Sequence, residues 1–60
     1  MKRRRFIREI EATGCILDRH GSNHDIYRNP KIAAAVAAVP RHNELNDITC
    51  KSIRKQLGVE

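Results

Sequence analysis

The run Gly21-Ser22-Asn23-His24 stands between two short apolar stretches, Cys15-Ile16-Leu17 and the Ile26-Tyr27 pair. Gly and Asn tolerate the left-handed backbone angles of a tight hairpin turn, so these four residues predict two antiparallel strands joined at their tip. The turn ends in a histidine at the mouth of the sheet, where an imidazole can give or take a proton near neutral pH. On residues alone, His24 is either a proton-transfer group or a solvent-exposed turn residue.

The segments around the hairpin read as follows. From Lys2 to Thr13, Phe6, Ile7 and Ile10 recur at helical spacing, Glu9 and Glu11 face outward, and Gly14 offers a C-terminal cap. Arg4 and Arg5 in the first turn oppose the helix dipole, a cost of a few tenths of a kcal/mol that a partner phosphate would offset. His20 to Asn23 is turn material, His24 to Arg28 alternates around Ile26 as a second strand, and Asn29-Pro30 punctuates the chain. Ile32 to Val39 is open: five alanines favour a helix, whereas Val36, Val39 and Pro40 suit a strand. After a polar connection from Arg41 to Asn46, the residues Cys50, Ile53 and Leu57 mark one face of a last helix beginning near Asp47 and capped by Gly58, with Lys51, Arg54 and Lys55 together on its outer side. The expected architecture is α+β, with two helices packed on one face of a small antiparallel sheet.

Sixty residues make one domain, 1–60, too small for a deep enclosed substrate pocket. Twelve Lys and Arg against seven Asp and Glu give a net charge of +5, which favours a polyanionic partner over a neutral metabolite, nucleic acid first and an acidic protein second. Cys15 and Cys50 lie far apart without CxxC spacing, and read as buried, reduced thiols rather than as zinc ligands. The basic start Lys2-Arg3-Arg4-Arg5 is not followed by a signal-peptide apolar region, and no run approaches the roughly 20 apolar residues of a membrane span. A cytoplasmic protein without membrane contact is expected.

Four spaced motifs carry a family resemblance: the Lys2-Arg3-Arg4 helix with Gly14-Cys15 after it, the turn Gly21-Ser22-Asn23-His24 before Tyr27, the stretch Val39-Pro40-Arg41-His42, and the closing Ile53-Arg54-Lys55-Gln56-Leu57-Gly58. In this order and spacing the chain resembles the HicA toxins of bacterial type II toxin-antitoxin pairs along nearly its whole length. The resemblance implies an α-β-β-β-α fold like that of a double-stranded RNA-binding domain, with Ile32 to Val39 as the third strand. It also implies an mRNA-cleaving activity resting on one histidine, which corresponds to His24, and silencing by a HicB-like antitoxin that covers the active surface. The chain departs from the family at Lys31-Ile32-Ala33-Ala34-Ala35, which is smaller and less charged than usual, and at Arg5, where an acidic residue is common.

RNA carries its own nucleophile, the 2′-hydroxyl, so scission needs proton removal there, protonation of the leaving oxygen and stabilisation of the phosphorane charge. An imidazole, with its ordinary pKa of about 6.5, suits either proton transfer, and slow cleavage of RNA at His24 without metal or other cofactor, and without DNA hydrolysis, is expected. His20 reads as a solvated turn residue, and His42 as a strand-end or RNA-contacting one. Arg3, Arg4, Lys51, Arg54 and Lys55, with Ser22 and Asn23 beside His24, form the candidate RNA-binding set, and Tyr27 either stacks on a base or packs on the sheet. Two other readings compete: a non-catalytic RNA-binding module that blocks translation by occupancy, and a basic docking face for an acidic protein.

Overall fold

In the computed structural model, which describes residues 1–60, the chain runs α1 (Arg3–Ala12), β1 (Ile16–His20), β2 (His24–Arg28), β3 (Val36–Pro40) and α2 (Asp47–Leu57). The three strands form one antiparallel sheet in the order β1-β2-β3. This is the expected helix, three strands, helix order.

Both helices end by the same device. After α1, the Gly14 N–H donates to Glu11 O and the Cys15 N–H to Ile10 O; after α2, the Gly58 N–H donates to Lys55 O and the Val59 N–H to Arg54 O. These paired bonds satisfy carbonyls that a helix end leaves open, and they require a residue of positive φ, supplied by Gly14 (φ 102) and Gly58 (φ 70). The starts differ. Asn46 accepts a hydrogen bond from the Thr49 N–H at 2.8 Å, and Asp47 stands in the first turn of α2. In α1, Lys2 gives no side-chain cap and the first turn holds only arginines besides Phe6, so local rules favour the second helix over the first.

Tertiary packing makes up the difference for α1. Phe6 and Ile10 are fully buried against Cys15, Tyr27, Ala37, Val39, Leu45, Cys50, Ile53 and Leu57, with Ile7 and Val59 at the edge. Both thiols are free and buried, and burial pushes the Cys50 thiol above its ordinary value, which keeps it protonated and unreactive. Leu45 lies in a stretch expected to be a polar connection. It is held there by backbone pairing, since the Leu45 N–H donates to Met1 O and the Arg3 N–H to Asn43 O.

Three readings of the sheet need correction. Alternation in β2 has the opposite phase: Asp25 and Tyr27 face the helices, while Ile26 is half-buried on the open face with Val36 and Ala38 exposed near it. The inward place of a carboxylate follows from its cationic neighbours, described below. The third strand begins at Val36, and Ile32 to Ala35 form a turn, closed by the Ala35 N–H donating to Ile32 O. His20 ends β1 rather than opening the turn, paired across the sheet with Asp25.

Candidate active site at the hairpin mouth

His24 is the first residue of β2 and opposite Pro40, its side chain exposed beside Ser22 and Asn23. The turn is closed by the Gly21 N–H donating to His24 O at 2.7 Å. No turn residue has a positive φ, so the left-handed conformation expected at Gly21 and Asn23 is absent. Glycine is needed at 21 for another reason: a Cβ there would sit 2.9 Å from His24 O, a backbone atom that cannot move aside cheaply. The His24 ring lies over the same side of Gly21, with Nδ1 3.8 Å from that Cβ position.

Behind the turn lies a charged hub that sequence reasoning missed. The Asp25 carboxylate accepts from Arg3 Nη2 at 2.7 Å, His20 Nδ1 at 2.7 Å, and Arg41 Nη2 and Nε at 2.8 and 3.1 Å. These donors hold the Asp25 carboxyl well below the usual carboxylate range, with the Arg41 hydrogen bonds the largest cause and that of His20 next. Asp25 is therefore ionised at any pH at which the protein works. The only forewarning in the sequence was an acidic residue between His24 and Ile26, in a strand otherwise easily read as ordinary alternation.

Arg41 joins this hub to the turn. Its Nη2 also donates to Gly21 O at 2.7 Å, with a longer bond to His24 O, and its Nη1 donates to Ser22 O at 3.2 Å. A planar guanidinium with donors in a fixed fork suits this task, because it binds the carboxylate and the turn carbonyls together. Arg3 does the same from α1, donating to Pro40 O at 2.7 Å through Nε. The result is a His24-bearing turn tied to the ends of α1 and β3.

The other candidate residues divide into two groups. Arg3 is committed to Asp25 and Pro40, and Arg54 donates to both oxygens of Glu9 while stacking 5.3 Å from the centre of the Phe6 ring. Arg54 thus does not share the outer side of α2 with Lys51 and Lys55, which are exposed, as is Arg4. Lys2, Arg4 and Arg8 line an open groove along α1, which also holds Glu11 and Glu44 and does not reach His24. Tyr27 is buried in the core and offers no stacking face, and its hydroxyl is pushed above its ordinary value chiefly by burial. His42 is exposed in the connection after β3. No three His, Cys, Asp or Glu side chains gather as a metal-ligand set, and no helix is long and apolar enough to cross a membrane.

A family profile described as the HicA toxin of bacterial toxin-antitoxin matches residues 3–59, all but three residues of the chain. The chain belongs to the HicA toxin family. As a HicA-family member it is a toxin of a toxin-antitoxin system, and pairing with an antitoxin follows from that membership. Comparison with curated proteins and with solved structures gave no match. The matched span includes the whole of the hub and the turn: Arg3, His20, Gly21, Ser22, Asn23, His24, Asp25 and Arg41.

Proposed function

We propose that this HicA-family toxin is an endoribonuclease that cleaves mRNA, with His24 transferring a proton at the scissile phosphate and without a cofactor. The observation that carries this reading is an exposed imidazole on a turn whose carbonyls are gripped by Arg41, which is in turn fixed to a buried carboxylate. A histidine serving only as a surface residue needs no such support. Holding a catalytic group in one geometry reduces the reorganisation that each turnover requires. The 2′-oxygen attacks phosphorus, the bond to the 5′-oxygen breaks, and the products are a 2′,3′-cyclic phosphate and a free 5′-hydroxyl. The exposed cations Arg4, Lys51 and Lys55, together with Ser22 and Asn23, contact the RNA backbone, whose shape and phosphates dominate recognition. Arg3 and Arg54 contribute indirectly, by fixing the hub and α2. A HicB-like antitoxin neutralises the cytoplasmic toxin by covering the His24 surface.

Inducible expression of wild type and His24→Ala in a bacterial host tests this reading. The expected result is a soluble variant that no longer arrests growth, with transcript cleavage slowed by about 100- to 10,000-fold. A variant as toxic as wild type overturns it. Growth arrest with intact transcripts, abolished by Lys51 and Lys55 substitutions, would instead establish a non-catalytic RNA-binding module.

A further inference from the structure

Scission of RNA by its 2′-hydroxyl moves two protons at opposite ends of the reaction. One leaves the attacking oxygen and one joins the departing oxygen, and in an in-line displacement these oxygens lie on opposite sides of phosphorus. One imidazole meets only half of this need at a time. From the geometry of the hairpin mouth we infer that His20 is a second catalytic residue, the general base, working opposite His24 as the general acid. The inference rests on the nuclease reading of the preceding subsection.

His20 Nδ1 donates to Asp25 Oδ1 at 2.7 Å, and the imidazole side chain is 70 % exposed. Because Asp25 can only accept, the proton sits on Nδ1, and Nε2 of the neutral ring carries its lone pair on the solvent side. This is the tautomer a general base requires, held by a carboxylate that also stabilises the imidazolium formed when the proton arrives. Asp25 is in turn held by Arg3 from α1 and Arg41 from the end of β3, the other charged groups that face this ring's partner. Arg3 and Arg41 leave the carboxylate little freedom to turn.

Placement relative to His24 follows from register. His20 pairs with Asp25, and Gly21 and His24 close the next position toward the turn. A strand spacing of about 4.8 Å and a rise of about 3.4 Å per residue put the Cα atoms of His20 and His24 about 6 Å apart. Successive strand residues point to opposite faces, so His20 leaves on the helix side with Asp25, and His24 leaves on the open side over Gly21. The two rings therefore bracket the hairpin tip. In the step we assign, His20 Nε2 takes the 2′-hydroxyl proton, the 2′-oxygen bonds to phosphorus, the bond from phosphorus to the 5′-oxygen breaks, and His24 gives its proton to that oxygen.

The test uses the full chain, with His20→Asn and His24→Ala, on two RNA oligonucleotides spanning a mapped cleavage site, one normal and one with sulfur replacing the bridging 5′-oxygen there. A thiolate leaves without protonation, so it needs the base and not the acid. Asn keeps an N–H donor toward Asp25, and His20→Asn is expected to melt and bind RNA as wild type does. On normal RNA both variants should lose about 100-fold or more in rate. On the sulfur substrate His24→Ala should recover to near the wild-type rate while His20→Asn stays slow, and the two-limbed pH profile of wild type on normal RNA should lose its acidic limb in His20→Asn. A folded His20→Asn that cleaves within threefold of wild type, beside an inactive His24→Ala, overturns the role of His20 and leaves the nuclease reading standing. Rescue of His20→Asn instead of His24→Ala by sulfur overturns the assignment of base. A wild-type protein that cleaves neither substrate overturns the nuclease reading itself, and a His24→Ala that cleaves normal RNA as fast as wild type overturns the role of His24 in it.

Discussion

Two polar residues are buried in this protein, Asp25 within β2 and Asn29 just after it, and they are held in different ways. Asn29 is neutral. Its Nδ2 donates to Leu57 O at 2.8 Å, its Oδ1 accepts from the Lys31 N–H, and its backbone ties to Ala35 and Ile32. It pins the loop between β2 and β3 to the end of α2, and every one of these partners is backbone. Asp25 is charged, its side-chain partners are Arg3, His20 and Arg41, and two of those reach solvent. A neutral amide satisfied by carbonyls and N–H groups serves the fold; a carboxylate surrounded by ionisable side chains beside an exposed turn serves chemistry as well.

Asp25→Asn should separate the two roles most sharply. The amide keeps the shape but removes the charge, and it places an N–H group where Arg41, Arg3 or His20 now donates. His20 loses the acceptor that selects its tautomer, and the turn loses part of its support. RNA cleavage is expected to fall by about 100-fold, at the low end of what general acid-base groups contribute. Initial rates on protein shown to be folded by circular dichroism check this. Cleavage within a few-fold of wild type would reduce Asp25 to the same structural role as Asn29.

Asn29→Ala should do the converse. The Leu57 carbonyl would be left buried without its donor, at a cost of about 1–3 kcal/mol. In a domain this small each kcal/mol lowers Tm by about 4–8 °C, so thermal melts resolve the loss readily. Cleavage per folded molecule should stay unchanged at a temperature well below the new Tm. Lost activity in a fully folded Asn29→Ala protein would show that the two ends of β2 are coupled.

Acid separates the two sites because only Asp25 of the pair titrates. Asp25 and Glu9 are both held below their ordinary values of 3.8 and 4.5, Asp25 chiefly by hydrogen bonds from Arg41 and His20, Glu9 chiefly by the Arg54 hydrogen bond. A carboxylate depressed in the folded state binds its proton more readily when unfolded, so its stabilisation is complete above the ordinary value and is lost as pH falls through the folded one. Urea midpoints should therefore decline below about pH 4.5 in wild type, decline less in Asp25→Asn, and decline in parallel with wild type, from a lower start, in Asn29→Ala. An unchanged acid slope in Asp25→Asn would show that its ion pairs persist in the unfolded chain.

What could be read from the sequence follows from the range of the forces involved. The helix stripes of Phe6, Ile10, Cys50, Ile53 and Leu57 and the glycines that end both helices act within a turn or two, and they were legible. The hairpin was legible too, although Gly21 is needed for space rather than for its φ. The hub was not: Arg3, His20, Asp25 and Arg41 come from four segments, and alone Arg3 reads as an RNA contact and His20 as a solvated turn residue. The same holds for Arg54, whose turn inward depends on Glu9, 45 positions earlier. His24 stands out in the turn motif itself, but what grips its turn emerges only when β3 is laid beside β2.

The smallest expected effect lies on the Asn29 side. Ala34 is the one non-glycine residue with a positive φ, 63°, in the Ile32 to Ala35 turn that the Asn29 backbone anchors. A left-handed conformation at the third position of a four-residue turn is ordinarily given to glycine, because a Cβ there crowds the following carbonyl. The misfit costs roughly 1–2 kcal/mol, while glycine would bring some extra freedom to the unfolded chain. Ala34→Gly should therefore raise stability by a net of about 0.5–1 kcal/mol, seen as a rise of a few degrees in Tm. The hub is separate from this turn, so cleavage rate and acid slope should match wild type. A stabilised protein with altered cleavage would mean that strain stored beyond Asn29 is felt at His24, and that the division between a structural end and a chemical end of β2 is drawn too sharply. A destabilised one would mean that the alanine methyl packs usefully enough to outweigh its backbone cost.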